Sequence, residues 1–441
     1  MTQSPQIFGK IAARNIFQQI LANLDLRATL AAAMARSGSR IHCGDFSADL
    51  RNFSRIVAIA IGKAAAPMAE AFDAVLAPDF HADGILAAPV APENSLPHWR
   101  IFVGGHPVPT EESFRAGRAI LDCVARADDR MLIVFLLSGG GSALAEFPLH
   151  DGFTLRDVQL LNHVLVTCGA PIEEINIVRK HLSALKGGRL AAAAPLATKL
   201  TYAVSDVPPG YESALASGPT LPDPTSIEDC ERVIRRHSLL HKLPASVRKL
   251  FDARAIEETP KPGDAAFNRA YFQLILGHHQ LTHAAHHAAE ALGYASVCVD
   301  DTDGWALEKA ADHLLDVLAR AHTGNPGKRV CVIANGEISS PVTGDGIGGR
   351  NSAFVLTCVE KIAGSSITVL SGGTDGVDGN SPAAGAVADG ETLARARRAG
   401  LLPGDYLARS DAYNFFRRLD DAVETGPTGN NLRDLRVLLA E

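Results

Sequence analysis

The chain is short of the features that usually place a protein at a glance. Its seven cysteines (Cys43, Cys123, Cys168, Cys230, Cys298, Cys331 and Cys358) are odd in number, scattered, and never spaced as C-x-x-C. That usage argues against a disulfide framework and for a reducing compartment, with the cytoplasm as the expected home. Long hydrophobic runs are missing too: the longest, such as Met131 to Leu137, are strand-sized, and Arg14, Asp25 and Arg27 interrupt the N-terminal segment. Neither a signal peptide nor a membrane span is expected, so the chain reads as soluble. There is no excess of positive charge; the formal net charge is −7 and the isoelectric point about 6.1. General attraction to nucleic acid or to an anionic membrane is therefore not expected, and an anionic substrate would have to be captured by local basic groups.

What remains is ordinary globular composition. The 441 residues are 46% hydrophobic and 21% charged, enough for two or three cores of roughly 150 residues each. From Arg55 onward short apolar runs alternate with helical stretches, which predicts a layered α/β fold with a largely parallel sheet. Strands are expected at 56–61, 84–88, 101–103, 131–137, 200–204, 272–276, 295–299, 329–334 and 367–370. Helices are expected at 64–76, 111–127, 154–168, 173–185, 280–292, 306–321 and 351–362. A polar, proline-bearing stretch, Glu257 to Asp264, interrupts the rhythm, and a domain junction is placed near it. The organisation expected is an N-terminal helical segment (1–45), able to pack on the second domain, a first domain at 46–255, and a second at 265–441.

The chemistry-bearing residues gather at strand ends. In Thr368-Val-Leu-Ser-Gly-Gly-Thr-Asp-Gly-Val-Asp-Gly379 an apolar strand stops in glycines that let backbone N–H groups crowd a ligand. Asp375 and Asp378 would supply hard oxygen ligands for a divalent cation. Similar grammar recurs at Ser138-Gly139-Gly140-Gly141-Ser142, a phosphate-sized cradle that fails the G-x-G-x-x-G dinucleotide fingerprint because Leu144 stands where glycine is needed. Gly62-Lys63 ends a strand and opens a helix, placing an ammonium beside unpaired N–H groups, though no serine or threonine follows to make a P-loop. Arg350 and Asn351 fall in the first turn of a helix, where a guanidinium fork could grip a transferring phosphoryl group. Arg179, Ser183 and Lys186 are spaced to share one helical face. Asp206 and Glu337 end predicted strands, where open α/β sheets keep ligands. Five histidines between His278 and His287 have metal-ligand spacing but no recognised acidic third ligand, and read as a solvated face.

These motifs, taken in order, resemble one family, the glycerate 2-kinases with a C-terminal MOFRL domain, whose bacterial members often carry the label hydroxypyruvate reductase. The resemblance runs from about Ile56 to Leu439. It rests on the Gly62-Lys63, Gly105-His-Pro-Val-Pro109, Ser138–Ala143, Asn176–Arg189, Ser205-Asp-Val, Ser217–Thr225, Gly349-Arg-Asn, Ser371–Gly379 and Thr425–Gly429 motifs. It implies two three-layer α/β domains, the first Rossmann-like, with an active-site cleft between them and a MOFRL region at about 328–436. It also implies transfer of the γ-phosphoryl group of ATP, with Mg²⁺, to the C2 hydroxyl of D-glycerate. Lys63 and Arg350 match the family's proposed catalytic positions, and Asp206 is placed with them in a metal or base role. The substrate- and nucleotide-binding set is Ser138, Gly139, Gly140, Gly141, Ser142, Arg179, Lys186, Asn351 and Thr374. The metal set is Asp375, Asp378 and Glu337.

The chain departs from the family pattern at Thr110, Gly210, Ser352, Ala353 and Pro382, several of which replace acids. Those departures bear on substrate rather than on fold, and leave room for a different hydroxy acid. Two other functions compete: an NAD(P)H-dependent hydroxypyruvate reductase, for which no nicotinamide fingerprint is found, and a catalytically weakened sugar-acid binding protein. The expected partners are a small hydroxy acid and a nucleotide, with a homodimer left open.

Overall fold

The computed structural model describes residues 5–205, 207, 210–426, 428 and 432–441. Contacts divide it into two compact units, Leu26–Ile275 and a second made of the residues up to Asp25 together with Leu276–Glu441.

In the first unit a small antiparallel hairpin, β1 (Arg40–Cys43) and β2 (Phe46–Asp49), precedes a six-stranded sheet. The sheet strands are β3 (Arg55–Ile61), β4 (Asp83–Ala88), β5 (Trp99–Val103), β6 (Met131–Leu137), β7 (Thr198–Val204) and β8 (Ala270–Leu276), in the spatial order β5-β4-β3-β6-β7-β8. From β5 to β7 every pairing is parallel. Counted from β3, that is the doubly wound order 3-2-1-4-5, in which the strand order, not the strand direction, reverses between β3 and β6, so ligands are expected at the carboxyl ends of those two strands. Both are continuous apolar runs because helices cover both faces: β6 is buried throughout, and β3 from Ile56 onward. Ile120 and Val124 of helix Glu111–Val124 pack with Ile59, Ile61, Ile133 and Phe135 in one core. A satellite core joins helices Leu155–Thr167, Ile172–Leu182 and Ile227–Arg236.

The second unit holds β9 (Ala295–Val299), β10 (Val330–Asn335), β11 (Ile367–Gly373), β12 (Gly385–Asp389), β13 (Ala422–Val423) and β14 (Asp434–Ala440). Their order is β13-β12-β11-β14-β10-β9. Here the expectation of a largely parallel sheet fails. Among the described pairings only β9 and β10 run parallel; β10–β14, β14–β11, β11–β12 and β12–β13 are antiparallel. The link from β11 to β12, residues 374–384, contains no helix, and a parallel return needs a crossover of roughly a dozen residues or more, usually helical. One consequence decides the site: because β14 runs against β10 and β11, its first residues lie at their carboxyl ends, with Asp434 opposite Gly373.

The N-terminal segment belongs to both units. Helix Pro5–Asn23 packs on the second sheet; Phe17 lies so close to Gly372 that an added Cβ would stand 2.7 Å from its ring, and Lys10 pairs with Asp421 at 2.9 Å. Helix Leu26–Met34 instead packs against helix Ala65–Leu76 of the first unit. The division falls after Ile275, and β8 joins the first sheet beside β7. No described helix is long and apolar enough to cross a membrane.

One buried lysine gives the first unit a pH signature. Lys199 is 1% exposed, and its Nζ donates to the carbonyls of Ala194 at 2.6 Å and Ala266 at 2.9 Å. Burial, helped by the nearby Arg269 charge, lowers its pKa from 10.5 to about 8. The folded protein thus gives up this proton more readily than the unfolded chain, and wherever the unfolded state holds more protons, stability rises with pH. Between about pH 8 and 10.5 the wild type is expected to gain stability relative to Lys199→Met, with no relative change below pH 8. Denaturant melts of both proteins across that range check it; a constant difference would contradict it.

Candidate active site

At the switch point of the first sheet, the turn after β3 and the turn after β6 lock together backbone to backbone. Ser138 N–H donates to Ile61 O at 3.0 Å and Lys63 N–H to Gly139 O at 2.9 Å, while Ser138 Oγ accepts from Ala64 N–H at 3.0 Å. Such closeness requires glycine at Gly62, where φ is +131° and a Cβ would come within 2.2 Å of Ser138 Oγ. Gly140, at φ +82°, turns the chain into the short helix Gly141–Leu144. Ser142 Oγ lies 2.7 Å from Ser217 Oγ, which donates to Asn176 at 3.1 Å. Both serines of the Ser-Gly-Gly-Gly-Ser run therefore hold the loop in shape, leaving the glycine backbone as the part a ligand could approach closely.

Lys63 is exposed at this turn. A methyl on Gly140 would sit 3.2 Å from Lys63 Cγ and 3.1 Å from His106 Cδ2, so lysine, glycine and imidazole share one corner. Burial and the Lys63 charge both push the His106 pKa below its ordinary value, favouring the neutral ring. Nothing in the sequence around His106 marks it for this corner; its nearness to Lys63 depends on β5 and β6 being parallel strands that end at the same edge of the sheet.

Lys186 and Arg179 take a different place from the one their spacing suggested. Helix Ile172–Leu182 ends before Ser183, which is extended, so the three residues do not share a helical face. They gather around a carboxylate that sequence reading missed. Glu146 accepts from Ser183 Oγ at 2.6 Å and pairs with Lys186, which is 1% exposed. Arg179, whose Nε donates to Asn162 at 2.9 Å, feels the same charge. Lys186 is thus an internal counter-ion, its pKa pushed down by burial and held up by Glu146.

In the second unit Arg350 opens helix Arg350–Lys361 and is gripped from two sides. Its Nε donates to Asp434 Oδ2 at 2.6 Å and its Nη1 to Glu337 Oε2 at 2.8 Å. Burial works against its charge, but Asp434 and then Glu337 outweigh that and raise its pKa. Burial likewise pushes Glu337 up; Arg350 pulls it back, and Asp434 adds to the rise. Asn351 bridges the cluster inward, its Nδ2 donating to Asp434 Oδ1 at 2.9 Å and its Oδ1 accepting from Ser371 Oγ at 2.6 Å.

Asp378 is not an open metal ligand. Its oxygens accept from Asn351 N–H at 2.9 Å, Ser352 N–H at 2.8 Å and Ser352 Oγ at 2.6 Å, and it is 1% exposed. A carboxylate so placed satisfies the orphan donors of a helix start and complements its dipole, so Asp378 anchors the helix that carries Arg350. Thr374 is similarly engaged, accepting from Leu432 N–H at 2.8 Å and donating to Arg433 O at 2.8 Å, which ties the end of β11 to the approach to β14. Asp375 is half-buried, with Oδ1 accepting from Val377 N–H at 3.1 Å. A Cβ on Gly373 would stand 3.1 Å from Asp375 Oδ1 and 3.6 Å from Asp434 Oδ1, so two carboxylates flank that glycine. Among the described residues no group of three or more His, Cys, Asp or Glu is placed to hold a metal ion. Asp206 lies outside the described residues.

Two departures from the family pattern have structural explanations. Thr110 occupies the N-cap position of helix Glu111–Val124, with its N–H donating to Ser113 Oγ at 3.1 Å; threonine and aspartate both suit that position. Ser352 supplies the hydroxyl that holds Asp378. Nothing in the structure explains Ala353, Gly210 or Pro382.

A doubly wound sheet with a glycine turn and a lysine at its switch point, together with a second, mixed sheet that places an arginine between carboxylates, defines a two-unit α/β protein. Comparison with known proteins narrows this. Residues 12–252 match the family model described as "Domain of unknown function (DUF4147)" and residues 330–434 the MOFRL family. A D-glycerate 2-kinase of Thermotoga maritima is 33% identical, with 87% of this chain and 90% of that protein covered. A protein of Agrobacterium vitis named "Putative hydroxypyruvate reductase" is 38% identical, with 87% of each covered. A crystal structure of glycerate kinase from Thermotoga maritima superposes with a TM-score of 0.84 at 30% identity, covering 98% of this chain and 99% of that one. The chain belongs to the glycerate 2-kinase family with a C-terminal MOFRL domain.

Proposed function

We propose that this protein is a kinase that transfers the γ-phosphoryl group of ATP, with Mg²⁺, to the C2 hydroxyl of D-glycerate or a close small hydroxy acid, giving 2-phosphoglycerate in the first case. The observation that carries this reading is the presence of two cations of different kinds in one chain: Lys63 beside a glycine turn at a Rossmann-type switch point, and Arg350 at a helix start, fixed between Asp434 and Glu337. Phosphoryl transfer asks the protein for positioning and charge neutralisation more than for covalent chemistry. Lys63 is a compact point charge suited to phosphate oxygens, and Arg350 a planar fork suited to the equatorial oxygens of the migrating group. The Gly139–Gly141 backbone would admit an anionic part of substrate or nucleotide, with Arg179 of the same unit adding donors. The hydroxyl proton would pass to an acid such as Asp206.

Glu337 and Asp375 are oxygen donors of the type Mg²⁺ takes, and one or two carboxylates completed by phosphate and water are the usual protein share of such a site. A bound Mg²⁺ would offset phosphate charge. The free state of all seven cysteines suits a cytoplasmic setting.

The name carried by the Agrobacterium relative motivates the second reading, reduction of hydroxypyruvate. The strand order would suit a dinucleotide, but the first turn, Gly62-Lys63-Ala64-Ala65, lacks the glycine fingerprint. Purified protein given D-glycerate, ATP and Mg²⁺, with phosphorus NMR resolving the phosphoglycerate isomers, is expected to form the 2-isomer. A parallel reaction with hydroxypyruvate and NAD(P)H is expected to consume no cofactor. Cofactor consumption without phosphoglycerate would overturn the proposal, and calorimetric binding of glycerate with no product would leave only the weakened binding protein.

A further inference from the structure

Strand β14 brings two charged residues, Asp434 and Arg436, to one face of the second sheet, since residues two apart in a strand point the same way. Arg436 is fully buried at 0% exposure. Its surroundings do not satisfy it. Nη2 donates to Gly336 O at 3.0 Å, and the guanidinium stands 5.4 Å from the centre of the Phe354 ring and 3.8 Å from Asp434 Oδ2. Nε and Nη1 have no hydrogen-bond partner among the described residues.

As a device for stability alone, this is a poor arrangement. A buried charge with unpaired donors carries a desolvation cost that an apolar side chain of similar volume avoids, and replacing buried ionic groups by such side chains is often neutral or stabilising. What the Arg436 charge does supply is a counter-ion on the inner side of Asp434. Asp434 is itself nearly buried, with a side chain 4% exposed, and it receives Arg350 Nε at 2.6 Å and Asn351 Nδ2 at 2.9 Å.

Resting on the kinase reading above, we propose that Asp434 and Arg436 are positioning residues for Arg350. Arg436 gives the Asp434 carboxylate a buried counter-charge, and Asp434 fixes the guanidinium plane of Arg350, with Glu337 holding the other end of the fork. Neither residue has to touch substrate. The effect is that Arg350 reaches the transferring group already oriented, and misplacement of a reacting partner by about 1 Å costs on the order of 10²-fold in rate.

The test is Arg436→Met beside Arg436→Lys and Asp434→Asn. Arg436→Met is expected to keep the melting temperature or raise it, while kcat falls by about 10- to 100-fold and KM for both substrates stays within about twofold. Arg436→Lys, which keeps the charge, is expected to recover most of kcat, and Asp434→Asn to lose as much as Arg436→Met. A second readout needs no turnover: the Arg350 Nε–H proton, held by Asp434, should exchange slowly in the wild type by NMR and rapidly in Arg436→Met and Asp434→Asn. That signal decides the positioning claim even if the wild type phosphorylates no hydroxy acid, in which case the kinase reading alone fails. Wild-type kcat in Arg436→Met, or an unchanged Arg350 signal in both variants, overturns the proposal.

Discussion

Arg350→Ala is expected to lower kcat by about 10³-fold or more while changing KM for ATP and hydroxy acid far less. Removal of an arginine that stabilises a transferring phosphoryl group costs about 10³ to 10⁵ in other phosphotransferases. The geometry argues for the upper part of the loss to fall on kcat. Arg350 is held by Asp434 and Glu337 before any ligand arrives, so its orientation requires little reorganisation during reaction, and preorganised charge acts on the transition state more than on the ground state. Alanine also leaves Asp434, a nearly buried carboxylate, without its main partner. Some loss of stability is therefore expected, and Arg350→Lys serves as the control: it retains a charge without the fork. A kcat for Arg350→Lys near that of alanine would show that geometry, rather than charge alone, is what the site uses. Steady-state kinetics at saturating Mg²⁺, with circular dichroism to confirm folding, provides the check.

Lys63→Ala is expected to cost about 10²-fold in kcat/KM, expressed in the ATP KM as well as in kcat. Lys63 is exposed, and the lock between the two turns uses its backbone N–H, bonded to Gly139 O at 2.9 Å, rather than its side chain. Removing the ammonium therefore deletes a charge without unlocking the loop. A point charge on phosphate oxygens is felt in the bound ground state and in the transition state, which is why both parameters should move. The alanine variant should also release His106 from the nearby positive charge, so that the His106 pKa rises from its depressed value while its burial remains. A histidine titration followed by NMR would show that shift independently of turnover.

Much of the first unit was legible because its central strands are buried on both faces and so read as unbroken apolar runs, as in Met131–Leu137. The glycine turns were legible for a related reason: close backbone approach demands glycine, and the demand is written in the residue itself. The second sheet resisted. Strand β14 carries Asp434 and Arg436 in its interior-facing alternation, so a buried strand looks amphipathic, and β12 is made mostly of small residues in Gly385–Asp389. Missing β14 meant missing Asp434, which reaches the site only because its strand runs antiparallel to its neighbours. Asp378 shows the converse difficulty. A carboxylate in a glycine-rich turn suits a cation and a helix start equally well, and the choice is made by residues 351 and 352, distant in sequence. Lys186 carries the same ambiguity in sequence, and Glu146 beside it in the fold decides it.

The most direct measurement is a single-turnover reaction in which γ-labelled ATP is mixed with excess protein, D-glycerate and Mg²⁺, quenched over time, and the phosphoglycerate isomers resolved, with wild type, Lys63→Ala and Arg350→Ala run side by side. Label is expected in 2-phosphoglycerate in the wild type, with the chemical step slowed by about 10²-fold or more in each variant. Label transfer at the wild-type rate in both variants would contradict that expectation.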